Sequence, residues 1–463
     1  MKPALEIDTP MTRAEVRASL SLASIYMLRM LGMFLILPVF SVFARDLPGA
    51  TPTLVGFAIS AYGLTQAVFQ IPFGLWSDRH GRKPLIAIGL VLFVLGSALA
   101  AMSDTIYGII AGRALQGAGA VAAVVMALAA DLTREEHRIK AMALIGISIG
   151  ISFALSMVAG PVLSTWMGLK GLFWVVTGLA VLGIVVLYTV VPNPVVSRFH
   201  RDAEVRTASF GTVLRNPELL RLDFGIFCLH LILTATFVVL PLVMRDALDL
   251  ATAKHWHIYL PVFILARASM VPFVIVAEKK RKMKPVFVAF IAVVAAADLG
   301  FVWLEDSFWG VFGLLYLFFT GFNLLEATLP SMVSKIAPPD LKGTAMGIYS
   351  TAQFLGAFAG GAGGGWIYGH YGIHQVFLYC ATAALLWLAV AAGMRAPRHV
   401  SSLLINVGGL SRDQATRLSG RLLQVPGVAE AVVLAEDGVA YLKVDRDKLD
   451  RAALSELFQE MAA

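Results

Sequence analysis

Four ionisable side chains stand inside long apolar runs of this chain: Arg29, Arg113, His230 and Glu326. A charge at mid-bilayer is costly, and one that is kept there usually carries function. A carboxyl group in apolar surroundings suits proton carriage, because its charged and neutral forms lie closer in free energy than they do in water. Glu326, one helical turn from Asn323, is the best such group. His230 is the alternative carrier, since an imidazole titrates near about pH 6.5 in water. Against these roles stands the plain reading that each residue makes a static polar contact between helices. Arg267 and Asp298 also lie deep in apolar runs, and a structural role suits Asp298 as well as a functional one. The two cysteines, Cys228 and Cys380, fall in apolar segments, read as small buried side chains, and offer no disulfide framework or metal site.

The runs that hold these residues need lipid as solvent. Hydrophobic residues make up 58% of the 463 and charged residues only 14%, against about a quarter charged in an ordinary soluble domain. Twelve stretches, at about 20–43, 53–77, 84–102, 106–130, 141–164, 172–191, 222–244, 257–277, 285–304, 308–332, 344–368 and 375–394, are long enough to cross a hydrocarbon core as helices. A transmembrane barrel would show short strands of alternating polarity, whereas Pro84 to Met102 is continuously apolar. The first run is too long for a signal peptide and reads as the first span.

The net charge of +7 does not mark a nucleic-acid binder, because the basic residues sit in short loops on one side. Arg79, Arg82 and Lys83, then Arg134, Arg138 and Lys140, then Lys279 to Lys284, then Lys335 and Lys342 lie there; Arg45, Lys170, Arg245 and Lys254 lie opposite. This asymmetry predicts cytoplasmic N- and C-termini. A charged stretch at 192–221 divides the spans into six and six. The halves look duplicated: Ile71-Pro72-Phe73 before a basic run matches Val271-Pro272-Phe273, and Lys140-Ala141-Met142 matches Thr344-Ala345-Met346 at nearly the same spacing.

The predicted organisation is a cytoplasmic segment 1–19, a six-helix half 20–191, a cytoplasmic linker 192–221, a second half 222–395, and a soluble βαββα domain 396–463. In that last domain the strands fall at about 401–407, 429–435 and 439–444, and the helices at 411–425 and 447–461. It resembles a shortened ferredoxin-like domain of the heavy-metal-associated type, without the paired cysteines that capture soft metals. So small a core would gain from docking on the transporter's cytoplasmic face, a regulator or another copy.

Gly74-Leu75-Trp76-Ser77-Asp78-Arg79-His80-Gly81-Arg82-Lys83 resembles the loop signature of the Major Facilitator Superfamily, with Trp76 in place of a leucine. Arg113-Ala114-Leu115-Gln116-Gly117-Ala118-Gly119-Ala120 resembles the family's fourth-helix motif, and Leu31-Gly32 with Pro38 its exporter motif. Gly160-Pro161 is half of its antiporter motif, with Ser156, Ser164 and Thr165 where glycines stand. The resemblance covers residues 20–395 and, with the small C-terminal domain, points to the bacterial drug–proton antiporters that carry such a tail. It implies an all-α membrane fold of two pseudo-symmetric six-helix halves. It also implies that the first, fourth, seventh and tenth spans line a central cavity, so that Arg29, Arg113, Gln116, His230, Asn323 and Glu326 mark the substrate and proton pathway. The gate is expected at Gly74, Asp78, Arg79, Gly81, Arg82 and Asp131, with Gly74 easing close helix approach, Asp78 facing the N-terminus of the eleventh span, and Arg82 pairing Asp131. Gly160 and Pro161 are expected in helix packing. The Gly360–Gly365 run permits close packing or bending, with packing the leading reading.

No nucleotide-binding loop, nucleophile–base pair or metal-ligand cluster is legible, so no enzyme, cofactor or metal is expected. The expected function is secondary active transport by alternating access in a bacterial inner membrane, exporting a small amphipathic solute against protons. Proton-coupled nutrient uptake is the runner-up, and a non-transporting sensor signalling through the C-terminal domain is the alternative of a different class. Helix 1 carries Arg29 and no acid, a departure from many proton-driven exporters.

Overall fold

The computed structural model describes residues 10–134, 137–193, 210–397, 399–435, 438–445 and 447–462; most of the expected linker and the first nine residues lie outside them. The first helix, α1 (Arg13–Phe34), opens with a capping box in which Thr12 and Glu15 satisfy each other's backbone amides. The chain leaves the helix at residues 35–39, around Pro38, which has no N–H to give, and resumes as α2 (Phe40–Ala44). Then come α3 (Pro52–His80) and α4 (Arg82–Met102), parted by Gly81 at φ 87°, a backbone angle that favours glycine. The fourth span is two pieces, α5 (Ile106–Ala118) and α6 (Ala122–Asp131). The fifth and sixth form one stretch, α7 (Arg138–Thr189), broken at Gly168 with φ 65° and ψ −173°.

After a short α8 (Phe210–Leu214), the second half comprises α9 (Pro217–Leu242), α10 (Trp256–Lys279), α11 (Met283–Leu304), α12 (Phe308–Ile336), α13 (Lys342–Tyr371) and α14 (Ile373–Ala392). Nine helical segments of the described residues are long and apolar enough to cross a bilayer as they stand. The segment holding α7 supplies two passes, and α1–α2 and the glycine-rich α13 complete the twelve. Both termini therefore lie on one side, the terminal side, with the basic loops; the other is the far side.

Packing in lipid has no hydrophobic drive between helices, so close backbone approach through small residues takes its place. Along α1 and the first part of α7 this is done in step. Ser152 Oγ donates to Met27 O at 2.9 Å, Ser156 Oγ to Leu31 O at 3.2 Å, and a Cβ at Gly160 would fall 2.3 Å from Leu35 O. Ser156 thus holds its place in the motif by bonding the facing backbone. The glycines of α13 act similarly. Added Cβ atoms at Gly356 and Gly360 would lie 2.1 Å from Phe227 O and Leu231 O of α9, and one at Gly365 would lie 2.7 Å from Pro52 O of α3. The helix stays unbroken, so the run serves packing. A Cβ at Gly74 would meet only Ala123 Cβ at 3.7 Å. The close approach expected at Gly74 is found instead at Gly56 and Gly63, against Gly361 O and Phe354 O of α13.

The C-terminal sheet is antiparallel in the order β1 (Ser401–Asn406), β3 (Val439–Val444), β2 (Val428–Leu434). One face buries Ala440 and Leu442 under α15 (Arg412–Leu422) and α16 (Arg451–Ala462), with Leu418, Leu422, Leu454 and Phe458. The expected final helix starts four residues late, where Asp450 Oδ1 caps Ala452 and Ala453. Strands β2 and β3 lie against the turn Pro339–Leu341 between α12 and α13. Arg281 of the α10–α11 loop bonds Asp445 and Asp447, and Lys342 bonds Ser402. The domain therefore sits on the second half alone in these contacts.

Glu15 also clips the start of α1 to the loop between α6 and α7: its Oε1 accepts from Arg134 N at 2.9 Å and from Nε at 3.0 Å. Burial alone would raise its pKa, but the hydrogen bonds from Arg134 and Thr12 prevail and hold it at about 2 instead of 4.5. A lowered folded-state pKa gives stability that is present above 4.5 and lost as pH falls towards 2. Glu15→Gln should therefore lower the melting temperature at pH 7, and the gap to the parent protein should narrow as pH is lowered through that window. Thermal unfolding in detergent across the range reads it; a gap that does not change with pH would remove Glu15 from the account.

Candidate functional site

The intramembrane polar residues fall into two groups, one in each half. In the second half, α9 brings His230, α12 brings Glu326 and α13 brings Gln353 to one point. Gln353 Nε2 lies 2.8 Å from His230 Nε2 and donates to Glu326 Oε1 at 3.5 Å. An amide N–H can only donate, so the imidazole nitrogen facing it is the acceptor and the ring proton sits on Nδ1. His230 Nε2 and Glu326 Oε2 are 3.9 Å apart. Glu326 Oε2 has no hydrogen-bond partner among the described residues, and no basic side chain other than His230 pairs with it. A carboxyl so placed is able to accept and release a proton with little rearrangement.

Tyr349, one turn before Gln353 on α13, carries a buried hydroxyl without a partner. It lies close enough to Glu326 and to Asp223 of α9 to interact electrostatically with both. Asp223 is 8% exposed and stands seven residues before His230, two turns along one helix face. It lies near the terminal-side end of α9. The sequence reading missed Asp223, Tyr349 and Gln353. The signal was available in part: Asp223 and His230 share a face, but Asp223 stands at the margin of its span and reads as a loop end. Asn323 was expected beside Glu326, yet its Nδ2 donates to Phe319 O of its own helix at 2.7 Å.

Beyond Glu326 towards the far side, aromatic rings fill the space between the halves. Phe153 of α7 lies 5.2 Å from Phe263 of α10, 6.3 Å from Phe237 of α9 and 6.5 Å from Phe322 of α12, and 4.9 Å from Phe34 of α1. Arg45 and Asp246 join the halves at 2.7 Å still nearer the far side, and the glycine contacts of α3 with α13 lie in that same part of the molecule. The Glu326 group thus sits on the terminal side of a closed layer.

The first half holds the other group. Arg29 Nη2 donates to Gln66 Oε1 at 2.7 Å and to Gly119 O at 3.0 Å. Arg113 donates to Gln116 Oε1 at 2.8 Å and to the carbonyls of Ala58 and Ile59. Arg29, Arg113 and Gln116 are thus brought together, but inside the first bundle and apart from Glu326. Arg267 of α10 lies over Gly150 of α7, where the missing side chain leaves it room, and Asp298 is buried on α11 with no hydrogen-bond partner among the described residues.

At the terminal-side end of α3, Arg82 is 2% exposed and bonds Ser77 Oγ at 2.6 Å, Asp78, and Asp131 Oδ2 through Nε at 3.4 Å. The expected Arg82–Asp131 pair is present, with Asp78 joined to it. Arg79 is exposed. Gly160 and Pro161 lie on α7 beside the end of α1.

A sequence model of the Major Facilitator Superfamily matches residues 22–361. The chain is 48% identical over 454 residues to the inner membrane transport protein YajR of Escherichia coli (strain K12), covering 98% of this chain and 99% of that protein. It is 24% identical over 390 residues to the multidrug resistance protein MdtH of Aeromonas hydrophila subsp. hydrophila, covering 84% and 94%. Among solved structures, a bacterial homolog to the human lysosomal transporter Spinster, inward-facing and occupied, superposes with a TM-score of 0.70 at 11% identity, covering 82% of this chain and 97% of that one.

The Arg82 cluster can be tested for what its burial costs. Asp131 has no exposed side-chain surface, so Arg82→Gln removes a cation from a buried carboxylate, a change that costs up to about 3–5 kcal/mol when a buried pair is broken. A second change, Asp131→Asn, removes the stranded charge and should restore most of that loss. Denaturant or thermal unfolding of the single and double variants in detergent decides it; a double variant no better than the single one would exclude the pairing.

Proposed function

The chain belongs to the Major Facilitator Superfamily, a family of membrane transporters and not of enzymes, and we propose that it exports a small amphipathic solute in exchange for protons. The observation that carries this reading is the Glu326–His230–Gln353 group, a carboxyl with one oxygen lacking a hydrogen-bond partner and no strong base beside it. A fixed ion pair would hold that carboxylate charged throughout. Its absence here leaves the group free to be neutral in one state and charged in the other. A membrane potential supplies about 2.3 kcal/mol per charge per 100 mV for such a cycle. Export is supported by the helix 1 and helix 5 motifs and by the likeness to a multidrug resistance protein. Placement in a bacterial inner membrane, with both termini cytoplasmic, is supported by the basic loops and by the likeness to an inner membrane transport protein.

With that orientation the far side is periplasmic. The aromatic layer, the Arg45–Asp246 pair and the α3–α13 glycines then close the periplasmic side, so the conformation is inward-facing. In it, Asp78 is engaged by Arg82. When the cycle turns the cavity outward, Asp78 meets the amide end of α13 near Lys342–Thr344, where the helix dipole favours a carboxylate by roughly 0.3–1 kcal/mol, or up to about 2 when partly buried.

Two experiments test the reading. In proteoliposomes Glu326→Gln should abolish flux driven by a pH gradient while solute counterflow persists; unchanged gradient-driven flux would remove Glu326 from the coupling. Asp78→Asn should move the population further inward and slow turnover, with solute affinity changed less, since a loss of about 1.4 kcal/mol shifts a two-state ratio tenfold. Labelling of single cysteines in the cavity from the cytoplasmic side measures that shift. If labelling stays at the parent level while transport is lost, the gate assignment is wrong.

A further inference from the structure

The first half buries two positive charges and gives them no negative one. Arg29 is 1% exposed and Arg113 3% exposed. Their guanidinium carbons lie 5.7 Å and 5.2 Å from the centroid of the same ring, that of Tyr62, and Arg29 also lies 5.6 Å from the ring of Phe93. Every group that bonds them is neutral: the side-chain oxygens of Gln66 and Gln116, and the carbonyls of Gly119, Ala58 and Ile59. The two amides are engaged elsewhere as well, with Gln66 Nε2 donating to Gln70 and Gln116 Nε2 to Ser97 Oγ, and Tyr62 Oη donating to Gln66 Oε1. Among the described residues no carboxylate pairs with either arginine.

Carbonyl dipoles and ring faces ease a buried cation but bring no net charge. A buried charge is ordinarily matched by another or by a bound ion. The site also keeps donors in hand, for Arg29 Nε and Nη1 have no hydrogen-bond partner among the described residues although both are enclosed. Buried N–H groups left so are uncommon and call for a bound water or ion to take them. From these observations we infer that the Arg29–Arg113 site of the first half binds a small inorganic anion of the size of chloride, held by the free donors of Arg29 in the field of both guanidinium groups.

The location argues for a resident ion, not the transported solute. The site lies among α1, α3, α4 and α5, all of one half, and its lining side chains are buried. Tyr62 reaches Phe354 of the other half at 6.3 Å, but both guanidinium groups bond only within the first half, so a rocking half carries them along unchanged. The anion ties α1 to α3 and to the break between α5 and α6, whose carbonyl at Gly119 accepts from Arg29 as well as from Val121 N. The inference therefore does not rest on the transport reading and survives its failure.

The test is thermal unfolding of the purified full-length protein in detergent, at fixed pH and ionic strength, with chloride replaced by gluconate, which is too large for the site. A ligand that binds only the folded state stabilises it in a saturable way, so raising chloride from about 1 to about 100 mM should raise the melting temperature by a few degrees and then level off. Bromide should act like chloride. Arg29→Gln should abolish the difference between chloride and gluconate, whereas the exposed substitution Lys282→Gln should keep it. Should Arg29→Gln fail to fold, Arg29→Lys retains the charge with fewer donors, and its half-saturating chloride concentration should rise about tenfold. Identical melting curves of the parent protein in chloride and gluconate, or a chloride shift that persists undiminished in the Arg29 variant, would overturn the inference.

Discussion

A charge carried into hydrocarbon has to be answered locally, because water is not there to answer it. That requirement accounts for more of this molecule than any packing preference does. Where the chain keeps charge at the margin of the membrane, it supplies a partner: Glu15 has Arg134, Asp131 has Arg82, Glu278 has Lys335 at 2.8 Å. Where it keeps charge deeper, the two halves solve the problem differently. The first half surrounds two arginines with neutral oxygens and aromatic faces. Besides Arg267 of α10, the second half holds acids, Asp298 and Glu326 at depth and Asp223 at the end of α9, with one histidine near Glu326 and no arginine or lysine paired to them among the described residues. A carboxyl group can discharge itself by taking a proton, and a guanidinium effectively cannot. Unanswered acids therefore point to proton exchange, and unanswered arginines point to a bound anion.

The same absence of water shapes the backbone. Helix ends inside the membrane must be satisfied internally, and the breaks in this chain are each attended. The carbonyl of Gly119, between α5 and α6, accepts from Val121 N and from Arg29. The break after α1 is packed against Gly160, where any side chain would strike Leu35 O. The fourth-helix motif and the partial antiporter motif are thus physically related: one supplies an interrupted helix, the other a glycine that lets a second interruption be covered. Ser156 and Ser152 extend that contact with hydrogen bonds of 3.2 and 2.9 Å, which is how a serine can stand where the family pattern has a glycine.

Much of this was legible in the residues. Apolar run length gave the twelve passes, and the repeated Ile-Pro-Phe and Ala-Met segments gave the duplication, because lipid makes a helix's length and polarity nearly diagnostic. The strand and helix order of the small domain was legible from turn residues and periodicity. The Arg82–Asp131 pair was legible because both residues stand at the ends of spans on one side. Three things were not. Gly74 reads as a packing glycine, but which glycine meets a facing backbone depends on helix rotation and crossing, and those fall to Gly56 and Gly63. Tyr349, Gln353 and Phe153 are ordinary residues in a membrane span, and only their convergence from different helices gives them meaning. Arg29 and Glu326 both look like cavity residues when placed on lining helices, but a helix has two sides. Arg29 turns into its own bundle, towards Gln66 and Gly119, and Glu326 turns towards Gln353 and His230.

The position of the acid group relative to the closed layer ties structure to cycle. Phe153, Phe237, Phe319 and Phe322 occlude the far side, and His230 lies 6.0 Å from Phe322 at their edge. Phe322 is on α12, one turn before Glu326, so the helix that carries the acid also carries part of the occluding layer. If α12 shifts relative to Phe153 of α7, the ring contacts between the halves and the surroundings of the carboxyl change together. Gln353 strengthens that link, since its amide bonds both His230 and Glu326 from α13, the helix whose other face packs on α3 of the first half. Protonation of Glu326 would remove the charge that draws the Gln353 N–H and loosen α13 from α12. On the proposed reading, that event reaches the α3–α13 contact between the halves through one hydrogen-bonded side chain.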